Sequence, residues 1–412
     1  MCNIYLLLWM LYSFHWYEVV STPALNSLSS IFLGFNLALS VYYCVYCLIY
    51  YSPPKFYFTV LVLLLLFVVY GLISVLSGEE IYIRALGTKL KNGSYMIGPM
   101  RSFLPFFAFY VFYKRGLLTK TSLIVWGAIS LVQFVFVFLN SSVEYEVGNF
   151  VNNNVYHFTV LLPILFFIRR PRIIQIALLI FLIFMVLLGM KRGAMLVTAL
   201  FVLYYLYIII QKASKGRKIA IIVFAVIAIG VGYSYLIRFY ESNLVLQRKF
   251  ESTIEGGSSG RDVLYSQAWN AWSQSNLWQL VFGHGASGSL KVLDNYVHND
   301  WLEILLDMGV VGIITYFVFW VSFIKTWIKS KNNDIIYAVL GGYVFVLLPR
   351  SIYGMMYSNL QTIAVMAITY CIALNHDNAL LKDRRRTNSK ILLKPNNHNT
   401  TMISENDNNI NG

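Results

Sequence analysis

The chain has 412 residues, of which 58% are hydrophobic and only 12% charged, where an ordinary globular chain carries about a quarter charged residues. Apolar runs of about 20 residues recur along it, which no water-soluble core needs, so the composition is that of a polytopic membrane protein and excludes a soluble globular enzyme. The formal charge of +14 would suggest nucleic acid in a soluble protein, but the placement of the basic residues accounts for it differently.

The first apolar segment has no basic residue before it and no small-residue cleavage site after it, and reads as a retained span. Twelve segments follow one another at 3–20, 29–50, 56–76, 101–113, 121–139, 155–168, 173–190, 193–211, 219–238, 300–324, 335–349 and 355–374. The fourth, sixth and eleventh are short for a hydrocarbon core of about 30 Å, and are expected to be tilted, broken or shielded within the bundle. The expectation is an all-α polytopic membrane protein with about 12 transmembrane helices and one long outer-face loop. Its parts are an N-terminal bundle of about nine spans (1–238), an extracytoplasmic loop (239–298), about three C-terminal spans (299–374) and a basic, Asn-rich tail (375–412). Such a tail has the composition of a disordered segment.

Twelve spans put both termini on one side. The short loops of that side hold twice as many Lys and Arg as those opposite, which makes it cytoplasmic, and most Asp and Glu fall on the other side. The positive charge is thus an orientation signal plus a basic tail near anionic lipid, and nucleic acid is not an expected partner. Cys44 and Cys47 form a C-x-x-C inside the apolar run YYCVYCLIY, with no second pair or nearby His. Helix packing explains them better than a metal does, and neither metal nor cofactor is expected.

Chemistry-bearing residues gather on the outer side. Lys191 and Arg192 stand in the tight turn LLGMKRGAMLV between the seventh and eighth segments. Basic residues there could snorkel to headgroups, yet an outer Lys-Arg hairpin runs against the charge rule. Arg261 follows a Gly/Ser-rich turn (EGGSSGRD) at the start of a helix predicted over 262–280. Arg opposes the macrodipole at a helix N-terminus, so an external anion explains it better than helix stability does; a solvated loop Arg is the alternative. The stretch FGHGASG (282–288) allows a tight backbone path but lacks the Gly-Lys-Ser/Thr of a phosphate loop.

In YVHNDWLEILLDMG (296–309), Asn299 or Asp300 can cap the tenth segment, and Asp300 with Glu303 has capping-box spacing. Asp300, Glu303 and Asp307 share a helix face, and the deeper Asp307 must face protein or a watery cavity. Nothing in capping calls for His298, which could be an interfacial His or a proton-transfer or phosphate-binding group. Tyr265, Trp269 and Trp272 can share one face, as an interfacial belt or as a platform for stacking sugar rings, while Trp278 falls off it. Arg192, Arg261 and His298 would meet at the mouth of the bundle and bind an anion held at the lipid surface; the planar fork of Arg suits a phosphate diester or pyrophosphate.

The order K-R-G-A (191–194), S-G-R (259–261), F-G-H-G (282–285) and H-N-x-x-L-E-x-x-x-D-x-G-x-x-G (298–312) resembles the O-antigen polymerase/ligase superfamily of polysaccharide assembly, over roughly the second half of the chain. The resemblance implies a metal-independent glycosyltransferase of the cytoplasmic membrane, active on its outer face. It implies that a glycan on undecaprenyl diphosphate is moved to a hydroxyl of a lipid-linked repeat unit, by an O-antigen or capsule polymerase. It further implies that Arg192 and Arg261 hold the diphosphate, that His298 orients it or takes the acceptor's proton, and that Glu303 supports His298 or the acceptor. Lys191, Asn299, Asp300, Trp269 and Trp272 are the expected substrate contacts. A chain-length regulator and a flippase are expected partners beside membrane lipids. A ligase acting on lipid A–core would share these motifs. A lipid-linked-oligosaccharide flippase would instead carry charge deep in several helices, whereas here it lies at segment ends. A cysteine replacing Ser258 should react with an impermeant thiol reagent from outside the cell; labelling only from the cytoplasm would invert the topology.

Overall fold

Pro105 and Pro163 mark two of the breaks in the apolar runs. The computed structural model describes residues 2–16, 23–78, 80, 82–83, 88–89, 93–140, 143–146, 149–152, 154–168, 172–189, 191–223, 230, 237, 247, 261–357 and 363–374. In order these form α1 (Cys2–Trp16), α2 (Pro23–Tyr50), α3 (Lys55–Leu76), the strands β1 (Tyr82–Ile83) and β2 (Thr88–Lys89), α4 (Ser94–Phe103), α5 (Pro105–Lys114) and α6 (Lys120–Asn140). Strands β3 (Val143–Glu146) and β4 (Asn149–Val151) follow, then α7 (Val155–Leu161) with a 3-10 extension (Leu162–Phe167), α8 (Arg172–Leu188) and α9 (Arg192–Lys212). Beyond these come α10 (Arg261–Ser273), α11 (Leu277–Phe282), α12 (Gly288–Leu293), α13 (Asp300–Lys329), α14 (Asp334–Tyr353) and α15 (Ile363–Leu374). The two strand pairs are short antiparallel hairpins, where the sequence reading has only helices and loops.

Among the described residues five helices are long and apolar enough to cross a membrane: Ser30–Tyr50, Lys55–Leu76, Arg192–Lys212, Asp300–Asn332 and Asp334–Tyr353. Four more are apolar but shorter, at Ile124–Leu139, Val155–Phe167, Ile173–Leu188 and Ile363–Leu374. The expected count of twelve is therefore not matched by full-length helices, and two of the three short segments show why. Segment 101–113 is divided between α4 and α5 at Pro105, and segment 155–168 passes from α- to 3-10 helix at Pro163. A proline ring carries no N–H and clashes with the preceding turn, which weakens the ladder at these points, although Pro349 is accommodated inside the Asp334–Tyr353 helix. The helix predicted over 262–280 is also divided: α10 ends at Ser273, and Asn276 starts α11 with a capping box to Gln279. Most of segment 219–238, residues 239–260 other than 247, Ser258 among them, and the tail 375–412 lie outside the described residues.

The C-terminal helices pack into the N-terminal ones: α13 lies on α3, and α14 lies on α9 and the 3-10 extension. Gly341 and Gly342 let α14 approach closely, since a Cβ at either would meet Tyr204 or Phe201 of α9. On α3 the inward face (Phe56, Val60, Leu63, Leu64, Phe67, Gly71) is buried, while Phe58, Val62, Leu65, Val69, Ile73 and Leu76 are exposed at helical spacing. A helix apolar on both faces belongs in lipid.

The central feature is α13. It is helical from Asp300 to Lys329 but breaks at Gly309, whose φ of 62° and ψ of −152° lie outside helical space. A non-helical residue interrupts the i to i+4 ladder and leaves carbonyls in need of donors. Leu306 and Asp307 accept instead from the backbone N–H of His284 (2.7 Å) and Gly285 (3.0 Å). The loop can come this near because Gly283 and Gly309 abut; a Cβ at Gly309 would lie 2.5 Å from the Val281 carbonyl oxygen. The break splits α13 into an N-terminal piece bearing Asp300, Glu303 and Asp307 and an apolar piece long enough to cross a bilayer. Gly309→Ala should lower the thermal midpoint in detergent by an amount equivalent to about 2 kcal/mol or more, from left-handed strain plus the clash. Gly34→Ala, with nothing within 4 Å, should not.

Candidate active site at the end of the bundle

The acids of the N-terminal piece of α13 make structural hydrogen bonds. Asn299 caps the helix, its side chain accepting from the N–H of Trp301 (2.9 Å) and Leu302 (3.2 Å); Asp300 does not cap it. Fully buried, Asp300 accepts from the Tyr316 hydroxyl (2.8 Å) and from the Met356 N–H (2.8 Å). Two expected substrate contacts, Asn299 and Asp300, thus have both ends of their work inside the protein. Asp307 is buried and accepts from the Ser289 N–H (3.2 Å), which faces it into protein and away from lipid.

Glu303 does more than a capping-box residue would. Buried beneath the turn, it accepts from the backbone N–H groups of both Val297 and His298. Between this carboxylate and the Asn299 cap, His298 is held at φ 57°, in the left-handed region that a side chain seldom adopts. An ordering of this kind over-determines a strained residue, and it presents His298 at the exposed surface. The surrounding protein removes enough water to lower the His298 pKa below its ordinary value, and the positive charges of Arg261 and Lys191 lower it further. Both cations are therefore within electrostatic reach of the imidazole.

Arg261 and Tyr265, one turn apart on α10, bond the last carbonyls of α14. Arg261 donates to Tyr353 (2.8 Å) and the Tyr265 hydroxyl to Ile352 (3.2 Å). A cation suits that helix end, so part of Arg261's work is to seat α10 on α14. Lys191 and Arg192 open α9 at the same place: a Cβ on Gly193 would lie 3.7 Å from the Tyr353 Cβ and against the Tyr156 hydroxyl. Tyr353 is the hub around which the starts of α9 and α10 meet. Lys191, Arg192, Arg261 and His298 are brought to one end of the bundle, while the Lys212–Asp334 ion pair (3.1 Å) marks the opposite end.

Trp269 and Trp272 adjoin this rim, with ring centroids 5.2 Å apart. Trp269 is exposed; Trp272 packs against Val297 and Leu306 and donates its indole N–H to the Leu280 carbonyl (3.2 Å). The glycines of FGHG serve the break in α13. His284 bonds Ser275 through Nε2 at 3.0 Å.

Sequence reasoning missed Arg350 and the tyrosines around it. Arg350 is buried in the last turn of α14, with its guanidinium 4.7 Å from the centre of the Tyr156 ring. The available signal was a charged residue inside an apolar run. Glu303→Ala would strand the buried N–H of Val297 and free His298 from its constrained backbone. The expected cost is about 1–3 kcal/mol, read as a lower melting midpoint in detergent.

Residues 177–317 match the family described as O-antigen ligase. The matched stretch runs from α8 to the middle of α13 and includes Lys191, Arg192, Arg261, His298 and Glu303, but not Arg350 or Tyr156. No curated protein matches the chain.

Proposed function

We propose, on the premise that residues 177–317 carry an O-antigen ligase family domain and so support the O-antigen polymerase/ligase superfamily, that the chain is a polysaccharide polymerase. It transfers a glycan from undecaprenyl diphosphate to a lipid-linked repeat unit at the outer face of the cytoplasmic membrane. The observation that carries this reading is that Arg261 bonds the Tyr353 carbonyl while Gly193, next to Arg192, packs near the same Tyr353, with Arg261 and Lys191 close enough to His298 to lower its pKa. Such a rim, at the end of a bundle of apolar helices, fits a phosphorylated headgroup whose tail stays in lipid.

In the transfer an acceptor hydroxyl attacks the reducing-end carbon of the donor glycan. A new carbon–oxygen bond forms as the bond to the diphosphate breaks, and the lipid diphosphate leaves with the electron pair. Arg192 and Arg261 hold the diphosphate and offset the charge that grows on it, the kind of stabilisation that fixed donors supply most effectively. His298, neutral at pH 7 because its pKa is lowered, takes the acceptor's proton. Glu303 acts through the backbone as a positioning residue for His298. Lys191 adds charge to the rim, and Trp269 with Trp272 offers a stacking surface for sugar rings. We assign Asn299 and Asp300 to structure.

The description of the matched family favours a second reading, a ligase that moves finished polymer to lipid A–core. The same rim serves both, since only the acceptor differs. Deleting the gene and running the surface polysaccharide on a gel separates them: a single-repeat product indicates a polymerase, and accumulated full-length lipid-linked polymer indicates a ligase.

Complementation with Arg192→Ala, Arg261→Ala or His298→Ala should yield no long-chain product, with each variant still present in the membrane. Arg261→Lys should also be poor, because a point charge cannot replace a planar fork. Normal product from the three alanine variants would reject the site. The pH profile follows from His298: a base works only unprotonated, and a lowered pKa means it takes up its proton only at lower pH. The acid limb of kcat/KM should therefore fall below pH 6.5, the ordinary imidazole value; a limb above it would remove His298 from the role of base.

A further inference from the structure

The stretch from Val263 to Leu290 contains no Asp, Glu, Lys or Arg, although it lies in the loop expected to be hydrophilic. At its centre α11 turns large apolar side chains outward: Leu277 is 73% exposed, Trp278 74% and Phe282 45%. The Trp278 and Phe282 rings stack on each other at 5.9 Å and are not tucked beneath the loop. A water-facing loop has no use for such a cluster.

The height of α11 is fixed by a hydrogen bond. The Tyr70 hydroxyl of α3 donates to the Phe282 carbonyl at 2.6 Å. Helix α3 continues past Tyr70 to Leu76, a further rise of about 9 Å, and its exposed side chains there, Ile73 and Leu76, are apolar. So α11 sits beside the apolar flank of α3 and not above its end. On its other side Val281 and Gly283 abut the break in α13, just beyond which Val310 and Ile314 are exposed.

We propose that Leu277, Trp278 and Phe282 form a membrane foot, inserted at the boundary of headgroups and acyl chains in the leaflet on the side of the candidate site. The occupant of this surface is lipid and not a second copy of the chain, because the cluster is continuous with the lipid-facing flanks of α3 and α13 and has no charge to pair with a protein partner. Trp and Phe at this depth gain from burying their rings while the indole N–H stays near water. The foot is joined to the N-terminal piece of α13 through the loop at Gly283, so it sets the height of His298 relative to the headgroups.

A spin label on Trp278→Cys tests this in vesicles of phosphatidylethanolamine and phosphatidylglycerol, the described native cysteines being buried. Power saturation should show strong collision with oxygen and weak collision with a water-soluble nickel chelate. A label at the exposed Gln274, one turn back on the loop, should show the reverse. Adding Tyr70→Phe should move the 278 label toward water. Nickel access at 278 equal to that at 274 would overturn the foot, as would dipolar broadening between labels of two copies. Depth is read without turnover, so this result and the fate of the glycosyltransfer reading are separately decided.

Discussion

The structure depends on one broken helix. At Gly309 the ladder of α13 stops, and the carbonyls of Leu306 and Asp307 find donors in the loop that carries Gly283 and Gly285. Without that exchange two carbonyls would need other donors in a tightly packed interior, at a cost comparable to a lost hydrogen bond each. With it, the N-terminal piece of α13 is free to be polar. Three acids that could not enter lipid sit before the break, buried in protein, and the apolar piece begins just after it.

Those acids then organise the mouth. Asp300 joins the start of α13 to the segment after α14 through Met356, and Trp301 adds a bond from its indole N–H to Ser351 (3.1 Å). Glu303 fixes the backbone ahead of the helix, and Asp307 fixes the start of α12 through Ser289. Each acid accepts backbone N–H groups from a segment other than its own helix. Their burial is what makes the acids effective anchors beneath His298, which stays exposed.

Much of this was legible in the chain. A cap at Asn299 or Asp300 follows from local chemistry, and the structure selects Asn299; the grouping of Lys191, Arg192, Arg261 and His298 comes from the topology and the family resemblance. The short segments at 101–113 and 155–168 carried their explanation in Pro105 and Pro163. The partners of Asp300 were not legible, because Tyr316 and Met356 lie 16 and 56 residues away and no local rule selects them. Capping-box spacing was a false guide at Asp300 and Glu303: the pattern fits any helix start, whereas the strained φ of His298 makes Glu303 reach back further. Arg350 was hidden because an Arg near the end of an apolar segment reads as an orientation signal, and only packing against Tyr156 shows it as part of the interior.

The two bonds from α10 to the end of α14 have a further meaning. Arg261 and Tyr265 are anchored to carbonyls that a free helix would leave to water, so α10 is already docked before any substrate arrives. Little conformational freedom is then left for an anion to quench on binding at Arg261. An arginine on a loose loop would surrender much of its attraction to ordering the chain. One donor given over to Tyr353 thus leaves the mouth preorganised, and under the proposed function the attraction can go to the charge that develops on the leaving group.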